Sequence, residues 1–174
     1  MTRHQLEHIL RAAGAITDET EIVVLGSQAI LGSFPDAPES LCRSMEADAF
    51  PLHAPGKADL IDGTIGELSP FHETHGYYAH GIEPDSTVLA EGWQNRLVKI
   101  VTPATRGITG LCLSPADLAI SKLAAGRDKD LDFVARLVAF QLVATADIAR
   151  LAATLQPKLA EQVRRNLALA ASRG

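Results

Sequence analysis

Cysteine is nearly missing from this 174-residue chain: Cys42 and Cys112 are its only two, and they form no CxxC pair. That excludes a disulfide framework and a cysteine-built zinc site, and both thiols are expected to be reduced. A long apolar run is missing too. The longest uncharged apolar stretch near the C-terminus, Leu137 to Ala146, is of helix-core length, well short of the ~20 residues that span a bilayer. Arg3, Glu7 and Arg11 interrupt the first turns, so the N-terminus has no apolar signal region. The expectation is a soluble, cytoplasmic protein with no membrane partner. Basic residues are not in excess. Sixteen Lys and Arg face 21 Asp and Glu, a net charge of −5, which excludes a protein that coats nucleic acid non-specifically. The GxGxxG, GxxxxGK[ST] and GxSxG patterns are absent, which removes Rossmann, P-loop and serine-hydrolase chemistry.

What is present is a chain 47% apolar, enough to bury a real core at single-domain length. Leu6, Ile9, Leu10 and Ala13 recur at helical spacing, so residues 3–13 read as a helix with Gly14 as its C-cap. Ile22–Leu25 is a short buried strand that Gly26-Ser27 stops, and residues 28–31 start a short helix. Residues 44–50 alternate: Met45, Ala47 and Ala49 fall on one side, Glu46, Asp48 and Phe50 on the other. Residues 56–67 form a helix, Ser69 to Ile82 a strand or hairpin, and Arg96 to Val101 a strand. From Ser114 the pattern is helical throughout. Ser114-Pro115-Ala116-Asp117 starts the first of four helices, and Pro157 opens the last. The expected fold is α/β (α+β): a small mixed sheet flanked by helices over 1–112, with an all-helical part, 113–174, packed on it as a single compact unit.

Chemistry concentrates where a strand ends in Gly26-Ser27 and a later strand bears Glu46-Ala47-Asp48. Gly26 permits close backbone approach, and Ser27 opens a helix whose free N–H groups attract phosphate. Glu46 and Asp48, two apart on a strand, share a face. Side-by-side carboxylates repel unless a cation lies between them, and hard oxygens suit Mg²⁺ or Mn²⁺. A phosphate site facing a cation site is what nucleotidyl transfer requires. From spacing alone, an ordinary turn and a solvated edge strand account for the same residues.

The run VVLGSQAILGSFPDAPESLCRSMEADAFP resembles motifs I and II of the DNA polymerase β-like nucleotidyltransferase superfamily. The later SPADLAISKLAAGRDKDLDFV resembles the helical motif of AbiEii- and MenT-type toxin nucleotidyltransferases and their uncharacterised bacterial relatives. The resemblance implies a nucleotidyltransferase fold, and an enzyme that moves NMP from an NTP to an RNA (tRNA) or protein hydroxyl, as the toxin of a toxin–antitoxin pair. It makes Gly26 and Ser27 phosphate contacts, Glu46 and Asp48 the catalytic ligands of Mg²⁺ or Mn²⁺, and Lys122 the neutraliser of the triphosphate. Arg127, Lys129 and Asp130 line the same nucleotide site, while Asp132 braces the helix. Two features depart from the pattern. Residues 28–45 make a long connection, and Glu46 stands where an Asp is usual. A third carboxylate has no motif; Asp59, Asp62, Glu67, Asp85 and Glu91 are all open. The alternative is a non-catalytic module of the same fold that binds nucleotide or a partner.

The segment PFHETHGYYAHG brings His72, His75 and His80 close in sequence. The first two are three apart, not the four of HExxH, so a zinc site competes with histidines and tyrosines that merely flank the sheet. Lys158, Arg164, Arg165 and Arg173 make the last helix basic: either a solvated face or a contact for RNA or an acidic protein.

Overall fold

A computed structural model describes residues 1–173. In chain order the elements are α1 (Arg3–Thr17), β1 (Glu21–Val24), α2 (Ile30–Ser33), β2 (Glu46–Pro51), α3 (Ala58–Ile65), α4 (Pro70–His75), β3 (Tyr78–Gly81), β4 (Val98–Ile100), β5 (Thr109–Cys112), α5 (Pro115–Ala125), α6 (Asp128–Ala139), α7 (Thr145–Ala152) and α8 (Pro157–Ala171), with single 3₁₀ turns between several of them. They divide into two compact units. The first comprises Met1–Ser86 and Leu97–Leu113; the second comprises Thr87–Arg96 and the described residues from Ser114 onward.

The first unit is a five-stranded mixed sheet, ordered β3-β2-β1-β5-β4. β1 is antiparallel to β2 and parallel to β5. β2 is parallel to β3, and β4 antiparallel to β5. A reciprocal capping box between Thr2 and Gln5 starts α1, which buries Leu6, Ile9, Leu10 and Ala13. The helix runs past Gly14 to Thr17 and stops at Asp18 in the left-handed conformation, so Gly14 is not the expected C-cap. Its lack of a side chain serves packing: a Cβ there would lie 2.4 Å from Ile108 Cδ1.

One further expectation is corrected, and one strand was not anticipated. The 69–82 segment is not a hairpin but α4 followed by β3. Ser69 caps the helix by accepting from the His72 N–H, and Gly76 ends it at φ 73°. The strand β5 carries no alternation and escapes sequence reading, yet it lies between β1 and β4. Its Gly110 leaves room for Leu10, whose Cδ1 would lie 2.4 Å from an added Cβ.

The second unit is helical. Ser114 caps α5 and Gly126 ends it at φ 67°. Orphan carbonyls at the end of α5 are taken by α8: Asn166 Nδ2 donates to Leu123 O at 2.7 Å and Gln162 Nε2 to Ala124 O at 2.9 Å. Leu131, Val134 and Leu137 of α6, Ile148 of α7 and Val163 of α8 are buried. Residues 87–96 join this unit, where Arg96 donates to the fully buried Asp117 through Nε (2.9 Å) and Nη2 (2.7 Å). Among the described residues, no helix is long and apolar enough to cross a membrane.

Candidate active site

Strand alternation and register build the site. On β2, Ala47 and Ala49 are buried, which turns Glu46 and Asp48 to the other face, partly open to solvent. The parallel pairing with β3 sets Tyr78 beside Glu46 and His80 beside Asp48, with Ala79 buried against Ala47. The antiparallel pairing with β1 brings the end of that strand back along β2, and Leu25 N–H donates to Asp48 O at 3.0 Å. Gly26 follows directly. A Cβ on it would sit 1.8 Å from Asp48 Oδ2, so the carboxylate occupies the space that a side chain would fill. The sheet therefore brings Gly26, Glu46 and Asp48 together across the long 28–45 connection. Ser27 opens a three-residue 3₁₀ turn that continues into the four-residue α2.

A third donor completes the group. His80 Nδ1 lies 3.2 Å from Glu46 Oε1 and 3.4 Å from Asp48 Oδ1. One ligand atom from each of Glu46, Asp48 and His80 falls within 4.8 Å of the others. Two carboxylates and an imidazole at this spacing suit a divalent cation. The Tyr78 hydroxyl donates to Glu46 Oε2 at 3.4 Å. Burial raises the Tyr78 pKa above the usual tyrosine value, and the negative charge of Glu46 raises it further, so the hydroxyl stays protonated and remains a donor.

Asp59, Asp62, Glu67, Asp85 and Glu91 are all exposed, and among the described residues none of them joins this group. The neighbouring strand presents a histidine instead. Alternation around Ala79 was the available signal, but only the register between β2 and β3 tells which strand's acids His80 meets.

The three histidines of PFHETHGYYAHG separate, so the shared zinc site is not formed. His72 lies against Tyr78, ring centroids 4.6 Å apart. His75 joins His8, Phe71 and Tyr77 in a ring cluster, where His8 Nδ1 is 2.8 Å from the Tyr77 hydroxyl.

In the second unit Lys122 is not a solvated lysine. Its side chain is only 13% exposed, lies 3.4 Å from Asp130 Oδ1, and sits 5.7 Å from the centroid of the Phe133 ring. Arg127 also binds Asp130, donating from Nε at 2.6 Å. The buried Asp130 is thus the acceptor of both cations, while Lys129 is exposed. Asp132 pairs with Arg173 at 2.8 Å, consistent with a bracing role.

A strand ending in Gly-Ser, with an antiparallel neighbour that sets acid-x-acid against the glycine, places the protein among the nucleotidyltransferases. The chain belongs to the family described as nucleotidyltransferase of unknown function (DUF6036), whose model matches residues 4–167. No curated protein and no solved structure matches it.

Proposed function

We propose that the chain is a divalent-cation-dependent enzyme that transfers NMP from an NTP to a hydroxyl of RNA, tRNA among the candidates, or of a protein. The observation that carries this is the pair Glu46 and Asp48 on one sheet face with Gly26 set against Asp48, in a member of a nucleotidyltransferase family. Mg²⁺ or Mn²⁺ held by the two carboxylates would supply charge neutralisation to the triphosphate oxygens. The missing Cβ of Gly26 leaves the Asp48 carboxylate room beside the Gly26-Ser27 backbone, and phosphate would approach through the cation that the carboxylate holds. The helical resemblance assigns Lys122 and Arg127 to triphosphate neutralisation; within the second unit Asp130 binds both. In the transfer, the acceptor oxygen forms a bond to the α-phosphorus, the bond from that phosphorus to the bridging oxygen breaks, pyrophosphate leaves and the hydroxyl proton passes to water. The resemblance to AbiEii- and MenT-type proteins supports a toxin role with an antitoxin partner.

A second reading has its own support: no third carboxylate joins the site among the described residues, which favours a module that binds nucleotide without turnover. The test supplies each of the four α-labelled NTPs with Mg²⁺ or Mn²⁺, bulk tRNA and cell-extract protein. Wild type is expected to label an acceptor slowly, and the Glu46→Ala/Asp48→Ala variant not at all. Binding of NTP without any transfer favours the module. No binding at millimolar concentration removes both.

A further inference from the structure

We infer that His80 is the third ligand of the cation site, and that it gives the site a preference for a divalent transition cation over Mg²⁺. The inference rests on the proposed function in taking Glu46 and Asp48 as the other two ligands. His80 Nδ1 lies within reach of both carboxylates, at 3.2 and 3.4 Å, and it shares their face by strand register. Its backbone is held on two sides. Ala79 before it is fully buried, and Gly81 after it packs so closely on α3 that a Cβ would lie 1.9 Å from the Ala58 carbonyl. A ligand on a braced strand has its backbone already placed, which leaves only the side chain to order at binding.

Donor chemistry sets the preference. Mg²⁺ demands oxygen ligands in near-ideal octahedral geometry and gives up water reluctantly. Imidazole nitrogen is a softer donor that suits Co²⁺, Zn²⁺ and Fe²⁺. A set of two oxygens and one nitrogen therefore favours the transition cation. Three carboxylates at the same positions would favour Mg²⁺.

The competing role for His80 is a built-in counter-cation whose imidazolium neutralises the two acids and repels metal. The two roles differ in sign. The probe is Co²⁺ added to metal-free full chain, followed by visible absorption and calorimetry, with Mg²⁺ titrated separately. Wild type is expected to bind Co²⁺ more tightly than Mg²⁺. His80→Ala should weaken Co²⁺ about tenfold or more, the size that even an outer partner of a metal ligand commands, while moving Mg²⁺ by no more than about twofold. His80→Asp should gain Mg²⁺ affinity and lose the Co²⁺ preference. If His80→Ala binds both cations as tightly as wild type, or more tightly, the ligand assignment is overturned. Glu46→Ala/Asp48→Ala separates the two levels. If that variant loses Co²⁺ and His80→Ala does not, only the His80 assignment falls. If it binds Co²⁺ and Mg²⁺ like wild type, the cation site of the proposed function falls with it.

Discussion

Gly26 and Asp48 share one small volume, and either can exclude the other. The atom that an added Cβ would meet is the end of a partly exposed side chain, so the carboxylate can swing away at modest cost. Gly26→Ala should therefore lower stability by about 1 kcal/mol, toward the low end of overpacking costs. It should also abolish the rise in melting temperature expected of wild type with divalent cation if the cation binds the native state alone. Thermal melts with and without Mg²⁺ or Mn²⁺ check this; a retained cation shift in Gly26→Ala would mean that Asp48 is not a ligand. At this scale the sequence was informative about residue type. Glu46, Asp48 and Gly26 stand out by spacing and motif. His80 stood out only as a zinc candidate beside His72 and His75; its meeting with the two acids was hidden, because they lie 32 and 34 positions away in the chain and only strand pairing joins them.

Among the elements, β3 and the helix before it carry most of the site's surroundings. The ring cluster of His8, Phe71, His75 and Tyr77 ties α4 to α1. Burial holds the His8 imidazole below its ordinary value of 6.5, with Arg11, His75 and His4 adding repulsion. A histidine depressed in the folded state binds fewer protons there than when unfolded. Its stabilisation is complete above the unfolded value of 6.5 and is lost as pH falls through the lower folded value. Wild type should lose melting temperature as pH falls below 6.5, and His8→Gln, which keeps a partner for the Tyr77 hydroxyl, should lose less. Equal slopes for the two would remove His8 as the source. Sequence periodicity located α1, β1, β2 and the four C-terminal helices, because amphipathic helices and alternating strands print their burial on the chain. It missed β5 and α4. A four-residue strand with a central glycine has no alternation to show, and a six-residue helix rich in aromatics has too few turns to set a period.

Across the whole molecule, the second unit contains a segment drawn from the middle of the sequence, and an ion pair ties its last residue to α5. Arg96 gives two hydrogen bonds to Asp117, which is completely buried and also receives the Ser114 hydroxyl. The carboxylate beside it lifts the Arg96 guanidinium above its ordinary value, through the hydrogen bond first and the charge second. Arg96→Ala would leave a buried acid with no cation. Because the guanidinium is partly exposed, the cost belongs near the lower end of that class, about 3 kcal/mol. Chemical denaturation checks it, and Arg96→Lys, keeping charge but not the paired N–H groups, should recover only part. A loss below about 1 kcal/mol would show that the pair holds little.

Local chemistry was enough to establish the class of fold, the strand–Gly-Ser–strand order and the acid pair, since each depends on neighbours within a few residues. Pairing decided the rest. The antiparallel return of β2 set Asp48 against Gly26, and the parallel register of β3 set His80 between two acids. The buried Asp130 claimed Lys122, a residue that helical spacing alone would leave in solvent. In each case the interaction joins groups distant in the chain or depends on burial, and neither has a signature in local periodicity.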